Sequence, residues 1–168
     1  MEERRVQKSC KEGTRRSTQE GEAMIHTLRG QITEGEIKRL VVDDGRLNHG
    51  FVVTKFIIAG NANNSAGNDA MAVLGYQGIF PSLWDWSDNN QFAWASSDVP
   101  SMGSVAAPFS LIDQGHTVLR DMYISGQVSS AGGTGIINYY IELVPLTLTD
   151  DEAILTLIKE RNQGVLRT

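Results

Sequence analysis

Short apolar runs alternate with clusters of Gly, Asn, Asp and Ser along most of the chain, a pattern typical of an all-β domain. The clearest run follows Gly135 and ends near Thr147. One face of this run carries Ile137, Tyr139, Ile141 and Leu143. The other face carries Asn138, Tyr140 and Glu142. This alternation predicts a long last strand with one buried face.

The other apolar runs predict further strands, separated by turns and polar loops. The predicted strands cover residues 25–32, 36–42, 51–59, 70–76, 91–96, 105–112 and 117–125. The run 51–59 is apolar on both faces, which predicts a central strand covered on both sides. The glycine-rich segment 129–135 predicts a hairpin loop that needs positive φ angles. About eight strands without an early helix favour a two-sheet β-sandwich of the jelly-roll type.

A short C-terminal helix is predicted over residues 150–162, directly after the last strand. Thr149 and Glu152 form a capping box, in which each side chain bonds the backbone N–H of the other residue. Acidic residues follow at the start of the helix, and Lys159 and Arg161 lie near its end. This distribution of charge complements the helix dipole.

The predicted helix carries an apolar stripe formed by Ile154, Leu157 and Ile158 and widened by Leu155. Four large apolar side chains in water would favour aggregation, so we expect the stripe to be buried. Two partners are open at this stage. The stripe closes one open end of its own sandwich, or it packs on a neighbouring subunit.

Residues 1–23 differ in composition from the rest of the chain. They hold six Lys+Arg and five Asp+Glu with few apolar residues, so we expect a disordered polar leader. Glu20-Gly21-Glu22 can be encoded by GAA-GGA-GAA, which reads as a purine-rich ribosome-binding site shortly before Met24. We therefore hypothesise that translation starts at Met24; the other interpretation is a genuine charged tail. Residues 24–168 are predicted to form a single β-sandwich domain with its helix.

Composition excludes several classes of protein. The chain has 168 residues and a formal net charge of −5, whereas a nucleic-acid-binding domain normally has a basic face. No apolar run approaches the roughly 20 residues that span a bilayer. Cys10 is the only cysteine, so the domain after it needs no disulfide. We expect neither a nucleic-acid nor a membrane partner.

The three histidines are the first candidates for chemistry. His26, His49 and His116 lie in separate segments, without the spacing of a metal-ligand set. No G-x-S-x-G motif supports a nucleophilic serine. We expect no tightly bound metal, no cofactor and no cluster of His with Asp or Glu in a cleft, and we expect the three histidines to lie apart in space. The alternative is a small hydrolase or lyase that uses His49 or His116.

The loop around Trp84 and Trp86 is the most distinctive local feature. In an extended segment the two indoles would share a face and could stack on a sugar ring, beside polar groups that bind its hydroxyls. Asp85, Asp88 and Asn90 could instead supply oxygen ligands to Ca²⁺. In a third interpretation one tryptophan plugs the sandwich and the polar residues form Asx turns.

Three segments carry a resemblance to a known group of proteins. They read TLRGQITEGEIKRLVVDDGRLNHGF from Thr27, NQFAWASSD from Asn90 and INYYIELVPLTLTDDEAILTLIKERNQ from Ile137. Together they resemble small virion structural proteins encoded by tailed bacteriophages of marine bacteria. The resemblance spans residues 24–163.

The resemblance implies a structural particle component, such as a capsid-associated protein, a decoration protein or a minor tail component. It implies a homo-oligomer with other virion proteins as partners, located in the virion and assembled in the cytoplasm of the bacterial host. It implies no catalytic residues. The alternative function is a carbohydrate- or receptor-binding β-sandwich that uses the Trp84 and Trp86 loop.

Overall fold

A computed structural model of the chain describes residues 24–60, 68–80, 82–99, 109–129 and 135–162. Within these ranges the chain forms eight strands followed by one helix. The strands are β1 (His26–Thr33), β2 (Ile37–Val41), β3 (His49–Gly60), β4 (Asn68–Gly75), β5 (Gln91–Val99), β6 (Phe109–Ile112), β7 (Asp121–Ser129) and β8 (Ile136–Thr147). The helix α1 spans Asp150–Asn162, as the sequence predicts. The predicted leader, residues 1–23, lies outside the described residues.

The strands form two antiparallel sheets, in the orders β1-β8-β3 and β2-β7-β4-β5-β6. The pairing is nested, because the first strand bonds the eighth, the second bonds the seventh and the fourth bonds the fifth. This nested order is similar to that of a jelly roll, and the chain departs from it at β6, which is bonded to β5 in the five-stranded sheet. The prediction of an all-β, two-sheet sandwich with a short C-terminal helix is confirmed.

Strand β8 confirms the alternation predicted from its sequence. Its four inward side chains are all buried: Ile137, Tyr139, Ile141 and Leu143. The three side chains of the other face are partly exposed: Asn138, Tyr140 and Glu142. This strand lies in the middle of the three-stranded sheet, between β1 and β3. One face is therefore buried against the second sheet, as a half-buried strand requires.

The prediction of a central position for 51–59 is wrong, because β3 lies at the edge of the three-stranded sheet. A register shift between Val53 and Lys55 turns Thr54 and Lys55 outward. The outer apolar residues Val52 and Ile57 are only partly covered. Their cover includes cross-strand neighbours on β8, since Val52 pairs with Val144 and Ile57 with Tyr140.

Two other strands start four residues later than predicted, whereas β1, β2 and β4 start within two residues of the prediction. Strand β7 begins at Asp121, four residues later than predicted, because Val118 makes only an isolated bridge to Phe51 before the chain turns into the sheet. Strand β6 begins at Phe109, and the predicted residues 105–108 lie outside the described residues. In the glycine-rich hairpin loop, Gly135 has the expected positive φ of 65°, and residues 130–134 are not described.

The core fills the space between the two sheets. Its largest fully buried side chains come from both sheets and include Phe56, Phe92, Ile124 and Ile141. Two faces of alternating strands therefore interdigitate, as in other sandwiches. The strand pairings place α1 and three connections, residues 42–48, 76–90 and 113–120, at the same end of the sandwich. We call this the helix end.

Candidate interaction surfaces at the helix end

Helix α1 begins at the capping box that the sequence predicts. The Thr149 backbone N–H donates to Glu152 Oε2 at 2.9 Å, and the Glu152 N–H donates to Thr149 Oγ1 at 3.3 Å. These bonds satisfy two backbone donors that have no partner inside the helix. The cap residue Thr149 lies two residues after the end of β8, so the helix starts beside the three-stranded sheet.

The face of the helix that packs on the sandwich is largely different from the apolar stripe. Ala153 is buried, and Leu157 and Glu160 are partly buried. Ile154, Leu155 and Ile158 are exposed by 56%, 59% and 48%. Of the stripe, the described part of the sandwich therefore covers only Leu157, and the expected burial is not seen for the other three side chains.

Polar side chains hold the docked face in place. The Leu119 backbone N–H donates to Glu160 Oε1 at 2.8 Å. Gln77 Nε2 donates to the carbonyls of Glu160 and Arg161 at 3.4 and 3.3 Å. Those carbonyls belong to the last turn, where helix carbonyls have no partner within the helix. The docking of α1 therefore depends on hydrogen bonds to two distant connections.

The surroundings of Glu160 disfavour the ionised form of its carboxyl group. Burial raises the pKa of this carboxyl group, and the negative charge of Asp121 adds to the effect. The N–H of Leu119 and the charge of Arg120 act in the opposite direction. Asp121 itself pairs with Arg39 on β2 at 2.5 Å.

The tryptophan loop does not form a two-indole platform. The chain turns at Trp86, so the segment is not extended. Trp84 is partly buried, and its ring lies 5.5 Å from that of Phe109. Trp86 is 65% exposed and stands at 68° to Trp94, with ring centroids 6.4 Å apart. The sequence-based idea of two indoles sharing one face is wrong.

The polar residues of this loop form the Asx turns of the third interpretation. Asp85 Oδ1 accepts from the Ser87 backbone N–H at 3.0 Å and from its hydroxyl at 2.5 Å. Asp88 Oδ1 accepts from the Asn90 backbone N–H at 3.2 Å. These bonds shape the loop locally, as Asx turns do.

Asn90 closes the loop from inside. Its side-chain oxygen accepts from the Gln77 N–H at 2.7 Å, and its amide donates to the carbonyls of Gln77 and Ile79 at 3.4 and 3.2 Å. The residue is buried. Its amide is therefore used by the backbone of the loop, which argues against a role for Asn90 as a calcium ligand.

Sequence reasoning missed Gln91, the second buried polar residue at this loop. Its Oε1 accepts from Asp85 N and from Trp94 Nε1 at 3.1 and 2.8 Å. Its Nε2 donates to the Ser82 carbonyl at 2.7 Å. The signal available in the sequence was a polar Asn-Gln pair at the start of a strongly apolar strand.

The three histidines contact different groups. His49 Nδ1 lies 2.8 Å from Asp44 Oδ2, at the start of β3. The ring of His26 contacts Phe51 edge-on, at 5.5 Å between centroids. His116 Nε2 lies 3.2 Å from Asp113 Oδ2. Within the described ranges, no three His, Cys, Asp or Glu side chains are grouped as a metal site.

His116 and the carboxylate of Glu160 line the same cavity. A cavity of about 430 Å³ lies between the connection 113–120 and α1, and its lining includes His116, Tyr76, Lys159 and Glu160. Burial raises the pKa of the Tyr76 hydroxyl, so this group stays neutral.

Short contacts connect His116 to two neighbouring residues. The Tyr76 hydroxyl donates to the Thr117 carbonyl at 3.1 Å. The oxygen of that hydroxyl lies 3.1 Å from His116 Nδ1, and His116 Nε2 lies 3.2 Å from Asp113 Oδ2. The arrangement ties the connection 113–120 to the end of β4.

The helix end thus presents several exposed apolar side chains. Three of them, Ile154, Leu155 and Ile158, are grouped on the outer face of α1, and others, Leu47, Ile79 and Trp86, lie on the connections. In the described part of the chain no helix is long and apolar enough to cross a membrane. The chain matches no protein-family model, and a search of curated proteins found no significant match.

Proposed function

We propose that this protein is a non-enzymatic structural component of a bacteriophage particle, which assembles with copies of itself or binds onto a larger protein shell. The observation that carries the proposal is the outer face of α1. Three large apolar side chains are exposed there, on a helix whose opposite face is fixed to the sandwich.

Single apolar residues on a surface are common, but a group of them on one face favours a protein interface. Ile154, Leu155 and Ile158 lie within five positions of each other on 13 residues of helix. The helix does not need to fold on binding, because its cap and its docked face already hold it. A preformed surface loses less conformational entropy on association than a flexible segment does.

The fold and the resemblance support the same interpretation. Jelly rolls occur in viral capsid and lectin domains, although a fold alone does not define a function. The resemblance to small virion proteins of tailed bacteriophages supplies the biological context. The proposed partners are other copies of this chain and other virion proteins, and the proposed location is the virion.

Purified particles test this proposal directly. We expect mass spectrometry of density-gradient-purified phage that carries the gene to find peptides of this chain in a fixed ratio to the major capsid protein. Recombinant chain added to particles that lack the protein should co-sediment with them. Absence from the particles together with failure to co-sediment would overturn the proposal.

Carbohydrate binding is the second candidate function, favoured by the exposed indole of Trp86. An aromatic ring of this kind stacks on sugar rings, and the polar residues Asp85, Asp88 and Asn89 are its neighbours in the sequence. We expect glycan-array binding, if this function holds, to disappear in Trp86→Ala and to persist in Ile79→Ala. Ile79 is a suitable control because it is exposed to the same degree, 66% against 65%, in the same connection.

A further inference from the structure

The outer face of α1 has a self-complementary order of side chains. Asp151, Ile154, Ile158 and Arg161 follow one another at spacings of three, four and three residues. This is the spacing with which two helices pack along a common seam. All four side chains are exposed, and Leu155 lies beside them on the same face.

We propose that this face binds the same face of a second copy of the chain, with the two helices antiparallel across a two-fold axis. In that arrangement Ile154 of each copy meets Ile158 of the other. Asp151 of each copy meets Arg161 of the other. The partner is thus a second copy of this chain, and this inference rests on the proposed function, for which it names the partner and the geometry.

Charge decides between the two directions of packing. The first turn of α1 is acidic and the last turn is basic. A parallel pair would place Asp151 against Asp151 and Arg161 against Arg161, which is repulsive. An antiparallel pair makes both contacts attractive, and each contact occurs twice because a two-fold interface is self-complementary.

The charge order alone has a simpler explanation, since it also complements the helix dipole. The dipole does not explain the exposed isoleucines between the charges. It also does not explain why the docked face carries the short side chain of Ala153 and the polar Glu160, while the larger apolar residues face outward. An antiparallel helix pair accounts for both features.

Charge reversal of the full chain, followed by sedimentation analysis over a wide concentration series, tests the inference. We expect Asp151→Lys and Arg161→Glu each to raise the dimer dissociation constant by about tenfold, which corresponds to about 1.4 kcal/mol. The double variant Asp151→Lys/Arg161→Glu should restore dimerisation, because both contacts become attractive again. Lys159→Glu is the matched control, since Lys159 lies off the stripe on the cavity side of the helix.

Substitution of the apolar seam provides a second measurement. Ile158→Ser should raise the dissociation constant by at least about tenfold, because each substitution removes two contacts of the dimer. Ile37→Ser is the control, since Ile37 is exposed to nearly the same degree, 46% against 48%, but lies on β2. Circular dichroism of dilute samples should show that all variants retain the fold.

Several results would overturn the inference. Charge reversals without effect on a dimer would place the interface elsewhere. A monomer at all concentrations would exclude the second copy, and seam variants that lower only its unfolding temperature would show that the chain itself covers the face. If the chain is found in particles and the reversals have no effect, the inference fails and the proposed function stands. If the dimer behaves as expected but particles lack the chain, the function fails and the interface stands.

Discussion

The sandwich core and the helix end are held together by different kinds of interaction. In the core, apolar side chains from two sheets fill the same space, and Phe56, Phe92 and Ile141 are fully buried there. At the helix end, polar side chains bind the backbone of connections that carry little regular structure. Asn90 closes the connection 76–90, and Glu160 binds the N–H of Leu119.

This difference explains which parts of the structure a sequence pattern reveals. The alternation of apolar and polar residues along a strand indicates directly which side chains face the core, because every second side chain of a strand lies on the same face. The polar ties join residues that are far apart in the chain: 41 positions separate Leu119 from Glu160. No local pattern records such a pair. The following predictions test how far the two regions differ.

The largest effect is expected in the core. Phe56→Ala should lower the free energy of unfolding by about 3–5 kcal/mol, because it removes a fully buried aromatic ring and leaves a cavity. Denaturant unfolding followed by tryptophan fluorescence would measure the change. Ile37→Ala, an exposed position on β2, should change stability by about 0.5 kcal/mol or less. Similar losses in both variants would contradict the assigned core.

A smaller effect is expected from the buried amide of the connection 76–90. Asn90→Ala should cost about 2–3 kcal/mol, because it leaves backbone groups of Gln77 and Ile79 without their bonds to the side chain. Asn89→Ala is the neighbouring control, since Asn89 is exposed. Equal stabilities of the two variants in denaturant unfolding would show that the loop does not depend on this side chain.

Substitutions on the two faces of α1 should differ by a smaller amount in their effect on the free energy of unfolding. Leu157→Ala should cost about 1–2 kcal/mol, since the side chain is partly buried against the sandwich. Leu155→Ala, on the outer face, should cost about 0.5 kcal/mol or less in dilute monomer. Thermal unfolding at low protein concentration would compare the two. The reverse order would mean that the outer face is the docked one.

The smallest expected effects are on the pH dependence of the free energy of unfolding. Two glutamates of α1 should contribute to this dependence in opposite directions. Burial raises the pKa of Glu160, so the folded state binds its proton more tightly than the unfolded state does. Its contribution to the free energy of unfolding should therefore fall as the pH rises from the ordinary glutamate range through the raised pKa. Glu160→Gln should remove this dependence and keep an acceptor for Leu119.

The N–H of Thr149 and then its hydroxyl lower the pKa of Glu152. The stabilisation from Glu152 should be present above the ordinary glutamate pKa and lost as the pH falls through the lowered one. Glu152→Gln should remove that loss. The free energy of unfolding, measured across the acidic pH range for both variants, would distinguish the contributions of Glu152 and Glu160. Contributions that change in the same direction with pH would contradict the opposite pKa shifts of the two glutamates.

The sequence predicted the sandwich, the alternation of β8 and the bounds of α1. It placed β3 in the centre of a sheet because both of its faces are apolar. The structure places it at an edge, where neighbours on β8 supply part of the cover for its outer residues. In the tryptophan loop the Asx turns were among the predicted alternatives, but the buried roles of Asn90 and Gln91 were not, since they depend on backbone groups of the loop.

The sequence by itself determined the elements whose signals are local. Side-chain alternation acts over two residues and the capping box over three, so β8 and α1 follow from their own residues. The tertiary structure decided which face of the helix is buried. Gln77 and Leu119 belong to connections that only the folded sheets bring beside the helix, and they bind polar groups. They therefore hold the side of α1 that carries Glu160 and leave Ile154, Leu155 and Ile158 exposed.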